Sequence, residues 1–270
     1  MRLPKFDRRR ALAVVATIAA AYLLVAYLVA PGAWRHYERQ RGIADLGART
    51  VTAQGILGDV INVGVEGSQD DLMCAMAVAG WSPSDPVTLM SSLKIAGSVV
   101  FHRPYRRAPV SPLFFDGRRQ DLAFEKPSGL SAGTRHHVRF WKALDAGDDG
   151  RPVWLGAAVF DDGVGISHYT GQITHRTAPG IDAERDFLIQ DLIDAKRVAK
   201  TYSVSGVGPT LFGRNGGGDP FYTDGEIAFA DLAPRCATRE APPEVRAPAP
   251  RIAVENVVYG WLAAVRGLLP

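Results

Sequence analysis

The sequence has few of the residues that would identify a metalloprotein or a nucleic-acid-binding protein. Its two cysteines, Cys74 and Cys236, are too far apart in sequence for a metal-ligand motif or a disulfide framework. An oxidising compartment would permit one bond between them, but Cys74 falls in an apolar helical stretch, which favours a buried free thiol. No basic stripe with interleaved aromatic residues occurs in the central region, so the net charge of +3 does not indicate a nucleic-acid partner.

Long apolar runs are also scarce, and the clearest one lies near the N-terminus. Residues 11–30 contain no charged side chain, and about twenty helical residues span a hydrocarbon core. More arginines and lysines precede this run than follow it, which predicts a single-pass anchor in the inner membrane with a cytoplasmic N-terminus. A cleaved signal peptide is the alternative. Both interpretations export the rest of the chain.

Composition divides the chain into a folded domain and its appendages. The predicted parts are a basic cytoplasmic N-terminus (1–10), a transmembrane anchor (11–30), a juxtamembrane segment (31–48), one domain (49–232), a linker rich in proline and alanine (233–250) and an apolar amphipathic tail (251–270). Polar residues interrupt the tail at Glu255, Asn256 and Arg266, so we expect it to dock on the lipid bilayer or on the anchor rather than to span the membrane.

Hydrophobic periodicity within the domain predicts both helices and strands. Helical spacing occurs after Ser68, over 86–101 and over 182–200, whereas strand patterns occur at 59–65, 113–115, 121–124, 136–142, 153–160, 165–175, 201–207 and 226–232. Asp116 and Gly117 form a dipeptide typical of a hairpin turn. The order of these elements predicts an α+β fold with a mainly antiparallel sheet, a few helices and the N-terminal transmembrane helix.

Several blocks of the domain together resemble the LssY C-terminal domain family. The blocks, in order, are Trp81-Ser82-Pro83, Ser91-Ser92-Leu93-Lys94, Arg103-Pro104-Tyr105, Ala108-Pro109-Val110-Ser111-Pro112, Gln120-Asp121-Leu122-Ala123-Phe124, Arg135-His136-His137-Val138-Arg139-Phe140-Trp141 and Gly213-Arg214-Asn215-Gly216-Gly217-Gly218-Asp219-Pro220. The resemblance covers most of residues 61–232 and implies a bacterial envelope-membrane setting.

This chain departs from the usual arrangement of that family. There the domain often follows multi-span segments of DedA type and a PAP2-type lipid phosphatase, whereas here a single apolar run precedes it. The paired-arginine, Ser-Gly-His and Arg-His blocks of that phosphatase class have no counterpart in the sequence. The resemblance therefore implies the setting but does not carry over the phosphatase activity, and it leaves the role of the domain undefined.

Two adjacent histidines lie on one predicted strand and must face opposite sides of its sheet. His136 shares its face with apolar residues, which predicts a hydrogen-bonded core histidine. His137 shares its face with Arg135 and Arg139, a combination that suits a phosphate or carboxylate ligand. A solvated basic strand face is the alternative.

Two further histidines, His168 and His175, lie on the next strand candidate. Either could act as a general acid or base, or could bind a metal with Asp161, Asp162 or Asp186. No tight ligand spacing such as H-E-x-x-H is present. The sequence therefore leaves the metal and the cofactor unknown, and His137, His168 and His175 are the candidate catalytic residues.

The glycine-rich segment 206–226 is the sharpest local feature of the domain. It is not a P-loop, because it lacks Gly-Lys-Ser/Thr and a strand follows it. Consecutive glycines allow the backbone to approach a ligand closely. Polar candidates for ligand binding in the segment are Arg214, Asn215, Asp219, Tyr222 and Asp224. A long hairpin connection that needs glycine at its turns is the alternative.

These observations support two hypotheses of different classes. The first is an envelope hydrolase that acts on a phosphorylated or lipid-linked substrate, with the histidines and arginines as acid, base or anion-binding groups. The second is a non-catalytic module that binds an envelope ligand or a membrane protein. Convergence of the histidines and the glycine loop in one pocket would favour the first hypothesis, and scattered histidines would favour the second.

Overall fold

The computed structural model describes residues 8–29, 43, 46–47, 49–85, 110–129, 133–204 and 212–246. The chain forms two compact units, Met1–Arg39 and Gln40–Pro270. The predicted helix over 86–101 and the predicted apolar tail lie outside the described residues. The same holds for residues 206–211 of the glycine-rich segment.

The described part of the first unit is one apolar helix. Helix α1 (Arg8–Leu24) continues into a π-helical turn (Val25–Val29), and none of its residues is buried. The helix Arg8–Val29 is 22 residues long and contains an 18-residue stretch with a mean hydropathy of 2.4, so it is long and apolar enough to cross a membrane. A signal sequence meets the same criteria.

The second unit is built around a large, mainly antiparallel sheet. Its strands are β3 (Val63–Glu66), β4 (Ser82–Pro83), β7 (Leu122–Pro127), β8 (Arg135–Leu144), β9 (Val153–Ile166), β10 (Ile173–Thr177), β11 (Val198–Val204), β14 (Ile227–Leu232) and β15 (Glu244–Val245). They are ordered β15-β11-β14-β3-β9-β8-β7-β4, and β10 pairs with β9. Pairs β14–β3 and β11–β15 are parallel. The predicted α+β class is therefore confirmed.

A smaller four-stranded sheet has the order β2-β1-β5-β6. Its strands are β1 (Arg49–Thr52), β2 (Leu57–Val60), β5 (Leu113–Phe115) and β6 (Arg118–Arg119). Asp116 and Gly117 have φ angles of 48° and 71°, as a type I′ hairpin turn requires, so the predicted turn is present. Its second strand is β6, whereas the predicted partner around residues 121–124 belongs to β7 of the large sheet.

Within the described ranges, two helices cover one face of the large sheet, and the small sheet packs against the other. Helix α2 (Gln69–Val78) begins with a capping box between Ser68 and Asp71. It contributes Leu72 to a core shared with Phe140 and with Leu188 of helix α3 (Ile181–Asp194). On the opposite face, Trp141 packs with Leu113, Phe115 and Leu155. The alternation of β8 thus supplies both cores.

Helix α3 is shorter than its apolar spacing predicts. It ends at Asp194, and strand β11 already begins at Val198, so the predicted helix over 182–200 is wrong in its last turn. Lys196 takes a left-handed conformation with φ of 57°, which ends a helix in the way a glycine commonly does. The apolar Val198 belongs to the strand rather than to the helix.

The two cysteines form a disulfide, so the predicted free thiol at Cys74 is wrong. Their Cα atoms are 6.0 Å apart, although 162 positions separate them in sequence. Cys74 lies on α2, and Cys236 lies in the short 3-10 turn Pro234–Cys236, whose backbone donates a hydrogen bond to Asp71. The bond therefore ties the segment after β14 to α2. Strands β12 (Phe212–Arg214) and β13 (Pro220–Tyr222), which precede β14 in the chain, form a hairpin that belongs to neither the large nor the small sheet.

Candidate active site

A polar cavity of about 290 Å³ lies on the face of the large sheet that also carries the small sheet. Its walls come from the β1–β2 turn, from β8, from the β9–β10 hairpin and from the glycine loop, the part of the glycine-rich segment that connects β12 and β13. The charged side chains among its lining residues are Asp59, Arg135, Arg139 and Asp161, and the histidines are His137 and His175. Segments that are remote in sequence therefore converge on one cavity.

Strand β8 contributes three side chains to this cavity from one face. Arg135, His137 and Arg139 alternate along the strand, and their exposed fractions are 3%, 4% and 5%. The alternative of a solvated basic strand face is therefore wrong. On the other face, His136 stacks on Phe187 of α3, with ring centroids 4.0 Å apart, and its Nδ1 lies 2.8 Å from Glu184 Oε2. The prediction of a core-facing, hydrogen-bonded His136 is confirmed.

Asp161, on β9, is the centre of the charge arrangement. Its Oδ2 accepts a hydrogen bond from Arg135 Nε at 3.0 Å, and it lies 3.2 Å from His137 Nδ1 and 3.7 Å from His175 Nδ1. Burial raises the pKa of Asp161, but the opposing effects of His137, Arg135 and His175 are larger and lower the pKa well below its usual range. Asp161 is therefore ionised at neutral pH.

The two histidines beside Asp161 are neutral at pH 7. Burial lowers the pKa of His137, and the neighbouring Arg139 and Arg135 lower it further, against the attraction of Asp161. Burial likewise lowers the pKa of His175 to about 4. A neutral imidazole has one nitrogen that accepts a proton, so both side chains are in the form that a general base requires.

Both Nδ1 atoms are buried without a well-directed hydrogen bond. Among the described residues, neither His137 Nδ1 nor His175 Nδ1 has a hydrogen-bond partner. His137 Nδ1 lies 3.2 Å from Asp161 Oδ2 without the angles of a hydrogen bond, and His175 Nδ1, at 3.7 Å, is too far from it for one. Buried polar atoms usually have a partner. Both Nδ1 atoms therefore face Asp161 from positions without access to solvent.

Arg135 and Arg139 are paired with carboxylates that the sequence analysis did not single out. Arg135 Nη1 donates to Glu125 Oε2 at 3.0 Å, and Arg139 Nη1 donates to Asp59 Oδ2 at 3.0 Å. Arg139 Nε also donates to the Ser111 carbonyl. Burial lowers the pKa of Arg139, although an arginine remains charged at neutral pH. These carboxylates hold the arginine side chains in place at the cavity wall.

The glycine loop between β12 and β13 contributes Asn215, Gly216 and Gly217 to the cavity. Asn215 Oδ1 accepts hydrogen bonds from the backbone N–H groups of Gly217 and Asp219, which fixes the turn. A Cβ atom at Gly216 would lie 2.5 Å from the Thr52 side chain, so only glycine fits there. The described part of the segment is therefore a hairpin connection, and its residues Asn215, Gly216 and Gly217 also line the cavity.

The other predicted ligand residues support the loop rather than line the cavity. Arg214 donates to the Gly218 carbonyl, and Asp219 accepts the backbone N–H of Thr177. Tyr222 is half-exposed, and Asp224 forms a two-point ion pair with Arg185 at 2.7 and 3.1 Å.

The remaining candidate histidine, His168, also lies outside the lining residues. Its backbone N–H donates to the Gly217 carbonyl, and its side chain is so close to Gly218 that a Cβ there would lie 2.6 Å away. Of the proposed metal partners, Asp162 pairs with Arg176 and Asp186 pairs with Arg185. Within the described ranges, no three His, Cys, Asp or Glu side chains are placed to hold a metal ion.

Sequence comparison agrees with the resemblance carried by the ordered sequence blocks of the domain. The family model described as LssY C-terminus matches residues 37–227, which is more than half of the chain and includes every lining residue of the cavity. No curated protein and no solved structure matches the chain. The chain belongs to the LssY C-terminus family.

Proposed function

We propose that this chain is a membrane-anchored hydrolase of the cell envelope that acts on a phosphorylated or lipid-linked substrate outside the cytoplasm. The observation that carries the proposal is the pair of neutral imidazoles, the buried His137 and the partly buried His175, beside the ionised Asp161 in one cavity. The convergence of these histidines with the glycine loop is the arrangement that favours an enzyme over a surface-binding module.

The geometry suits general acid and base catalysis by the two histidines. One imidazole accepts a proton from a water molecule, whose oxygen attacks the phosphorus atom, and the bond to the leaving oxygen breaks. The other imidazole, protonated when the anionic substrate binds beside it, donates its proton to that leaving oxygen. Asp161 stabilises each imidazolium as it forms, and Arg135 holds Asp161 in position.

The charges of the cavity wall suit an anionic substrate whose binding is accompanied by the uptake of a proton. The two arginines and two aspartates of the lining cancel, so the wall without a ligand is close to neutral. Because the histidines are uncharged, they can take up a proton when a phosphoryl group enters and so provide the missing positive charge. Arg139 uses Nε and Nη1 in its contacts, and Nη2 donates to none of the described residues.

Two features support a location outside the cytoplasm. Disulfides form and persist in oxidising compartments, and the bond Cys74–Cys236 joins distant parts of the domain. The basic residues Arg8, Arg9 and Arg10 at the start of the apolar helix favour a cytoplasmic N-terminus. Protease added to intact spheroplasts should therefore cleave the domain, and cleavage only after cell lysis would contradict this orientation.

A non-catalytic binding module is the second candidate. The observation that favours it is the pairing of the charged wall residues with opposite charges, since Arg139 is held by Asp59 and Arg135 by Glu125 and Asp161. Such a preformed wall binds a ligand of fixed shape without needing a nucleophile. This candidate predicts binding of phosphate esters without turnover.

The test uses the purified full chain in detergent with p-nitrophenyl phosphate and with vesicles that contain phosphatidic acid. Replacement of a general acid or base costs on the order of 10²- to 10⁴-fold in rate, so His137→Gln and His175→Gln should lose most of the phosphate release. The matched control is His136→Gln, the adjacent histidine on the opposite face of β8. Near-ultraviolet circular dichroism checks that each variant is folded.

The outcomes separate the two candidates. Equal loss of rate in all three variants, or no turnover by the wild type, would contradict the hydrolase. In the second case, calorimetric titration of inorganic phosphate decides, because binding that disappears in His137→Gln but persists in His136→Gln would support the binding module.

A further inference from the structure

The β9–β10 hairpin carries large apolar side chains that no described residue covers. Ile166 and Ile173 are 67% and 81% exposed, and Val164 is 42% exposed. Tyr169, in the turn between the strands, is 51% exposed. A cluster of this kind on one projecting hairpin is unusual, because exposed apolar residues on soluble proteins are normally scattered singly.

The strand register places these side chains on one face with a residue of the candidate active site. Ile166 is directly opposite Ile173, and Val164 is directly opposite His175. Opposed residues of an antiparallel pair share a face, as do residues two positions apart on one strand. Val164, Ile166, Ile173 and His175 therefore form one continuous face.

This face changes from polar at its inner end to apolar at its outer end. His175 is 3.7 Å from Asp161 at its inner end, and Ile173 is both a lining residue of the cavity and the most exposed residue of the face. The outer end consists of Ile166 and, at the turn, Tyr169, an aromatic residue of the type enriched where proteins meet the membrane interface. The cavity thus opens beside an apolar surface.

We propose that this hairpin face inserts into the interface of the lipid bilayer and places the mouth of the cavity at the level of the lipid headgroups. The chain has its own candidate membrane helix, Arg8–Val29, which would hold the domain next to lipid and make the bilayer the apolar phase nearest to the hairpin. A substrate with a phosphoryl headgroup and an apolar tail could then reach His175 while its tail stays in the bilayer.

This inference deepens the proposed function, since the assignment of a lipid substrate rests on the hydrolase proposal. The docking of the hairpin does not depend on turnover and is tested separately. A second copy of the chain is the competing occupant of the face, and the experiment includes it as an outcome.

The test places an environment-sensitive fluorophore on the hairpin of the full chain in vesicles of phosphatidylcholine and phosphatidylglycerol. Ile166→Cys carries the label, because Ile166 is exposed and is not a lining residue of the cavity. The matched control is Val245→Cys on β15, an apolar residue with 76% exposure at the edge of the large sheet. The wild type, whose cysteines are bonded to each other, should take up no label.

At position 166 the emission should shift to shorter wavelength and be quenched several-fold more strongly by nitroxide-labelled lipid than at position 245. Equal quenching at the two positions would overturn the proposal. Emission that is shielded from water at position 166 but insensitive to the lipid nitroxide would assign the face to a second copy and would also overturn it. Tyr169→Cys provides a second probe if Ile166→Cys does not fold.

A second measurement addresses the lipid substrate. The double variant Ile166→Ser and Tyr169→Ser should raise KM severalfold for phosphatidic acid in vesicles, with kcat and the rate on p-nitrophenyl phosphate unchanged. Equal effects on the soluble and the bilayer substrate would contradict the role of the hairpin. Absence of turnover on both substrates would contradict the hydrolase and leave the fluorescence result to decide the docking.

Discussion

Mild acid should destabilise the folded domain through His175. Its pKa is lowered from 6.5 to about 4 by burial, so between these values the unfolded chain binds a proton that the folded chain does not bind. The free energy of unfolding therefore falls as the pH falls from about 6.5 to about 4. A tenfold change in a proton-binding constant corresponds to about 1.4 kcal/mol. The change in the pKa of His175 from 6.5 to about 4 therefore contributes about 3 kcal/mol to the pH dependence of the free energy of unfolding.

The pKa of His137 is lowered as well, again mainly by burial, so it acts in the same direction. Burial raises the pKa of Glu184 and of Asp182, so these carboxyl groups bind protons more readily in the folded state and oppose the trend at the lower end of this range. The ionised Asp161 does not change its charge there. A comparison with a variant is therefore needed to isolate His175.

The variant is His175→Asn, which keeps a polar side chain but removes the titration. Urea denaturation of the full chain in detergent, followed through the emission of the buried Trp141 and Trp154, gives the free energy of unfolding at pH 7 and at pH 4.5. Between these values the wild type should lose about 2 kcal/mol more than the variant. Equal losses in the two proteins would refute the assignment of a partly buried, neutral His175.

Three further predictions concern stability, each measured by the same denaturation at pH 7. Asp161→Asn removes one of two carboxylates from a buried arginine and should cost about 3 to 5 kcal/mol, whereas Asp162→Asn breaks an exposed pair and should cost less than about 1 kcal/mol. Gly156→Ala places a Cβ 2.7 and 2.8 Å from two buried side chains and should cost about 1 to 3 kcal/mol, and Gly163→Ala, whose nearest neighbour is 3.4 Å away, should be tolerated. Cys236→Ser should cost about 2 to 5 kcal/mol, and a wild type unaffected by reductant would contradict the disulfide.

The features that the sequence predicted well depend on residues a few positions apart. The helix that begins after Ser68, the turn at Asp116 and Gly117, and the opposite faces of His136 and His137 follow from local spacing, from turn chemistry and from the two-residue period of a strand. The same period correctly placed Arg135, His137 and Arg139 on one face. It did not show that this face is buried.

The errors arose where a distant segment completes a contact. Asp59 is 80 positions from Arg139, and the partner of Cys74 is 162 positions away, so neither pair leaves a local pattern in the sequence. Glu125 could have been found only with the register that sets it directly opposite His137. The early end of α3 depends on the left-handed backbone of Lys196, a residue type that does not by itself signal a helix end.

The sequence by itself determined the apolar helix, the α+β class and the family, because each of these is encoded in periodicity, composition or ordered blocks of neighbouring residues. Tertiary structure decided the rest. Only the tertiary structure brings segments remote in sequence together around β8, which buries His137 and partly buries His175. Burial beside Asp161 then keeps these imidazoles neutral, because an ion in a poorly solvated site is more costly than in water.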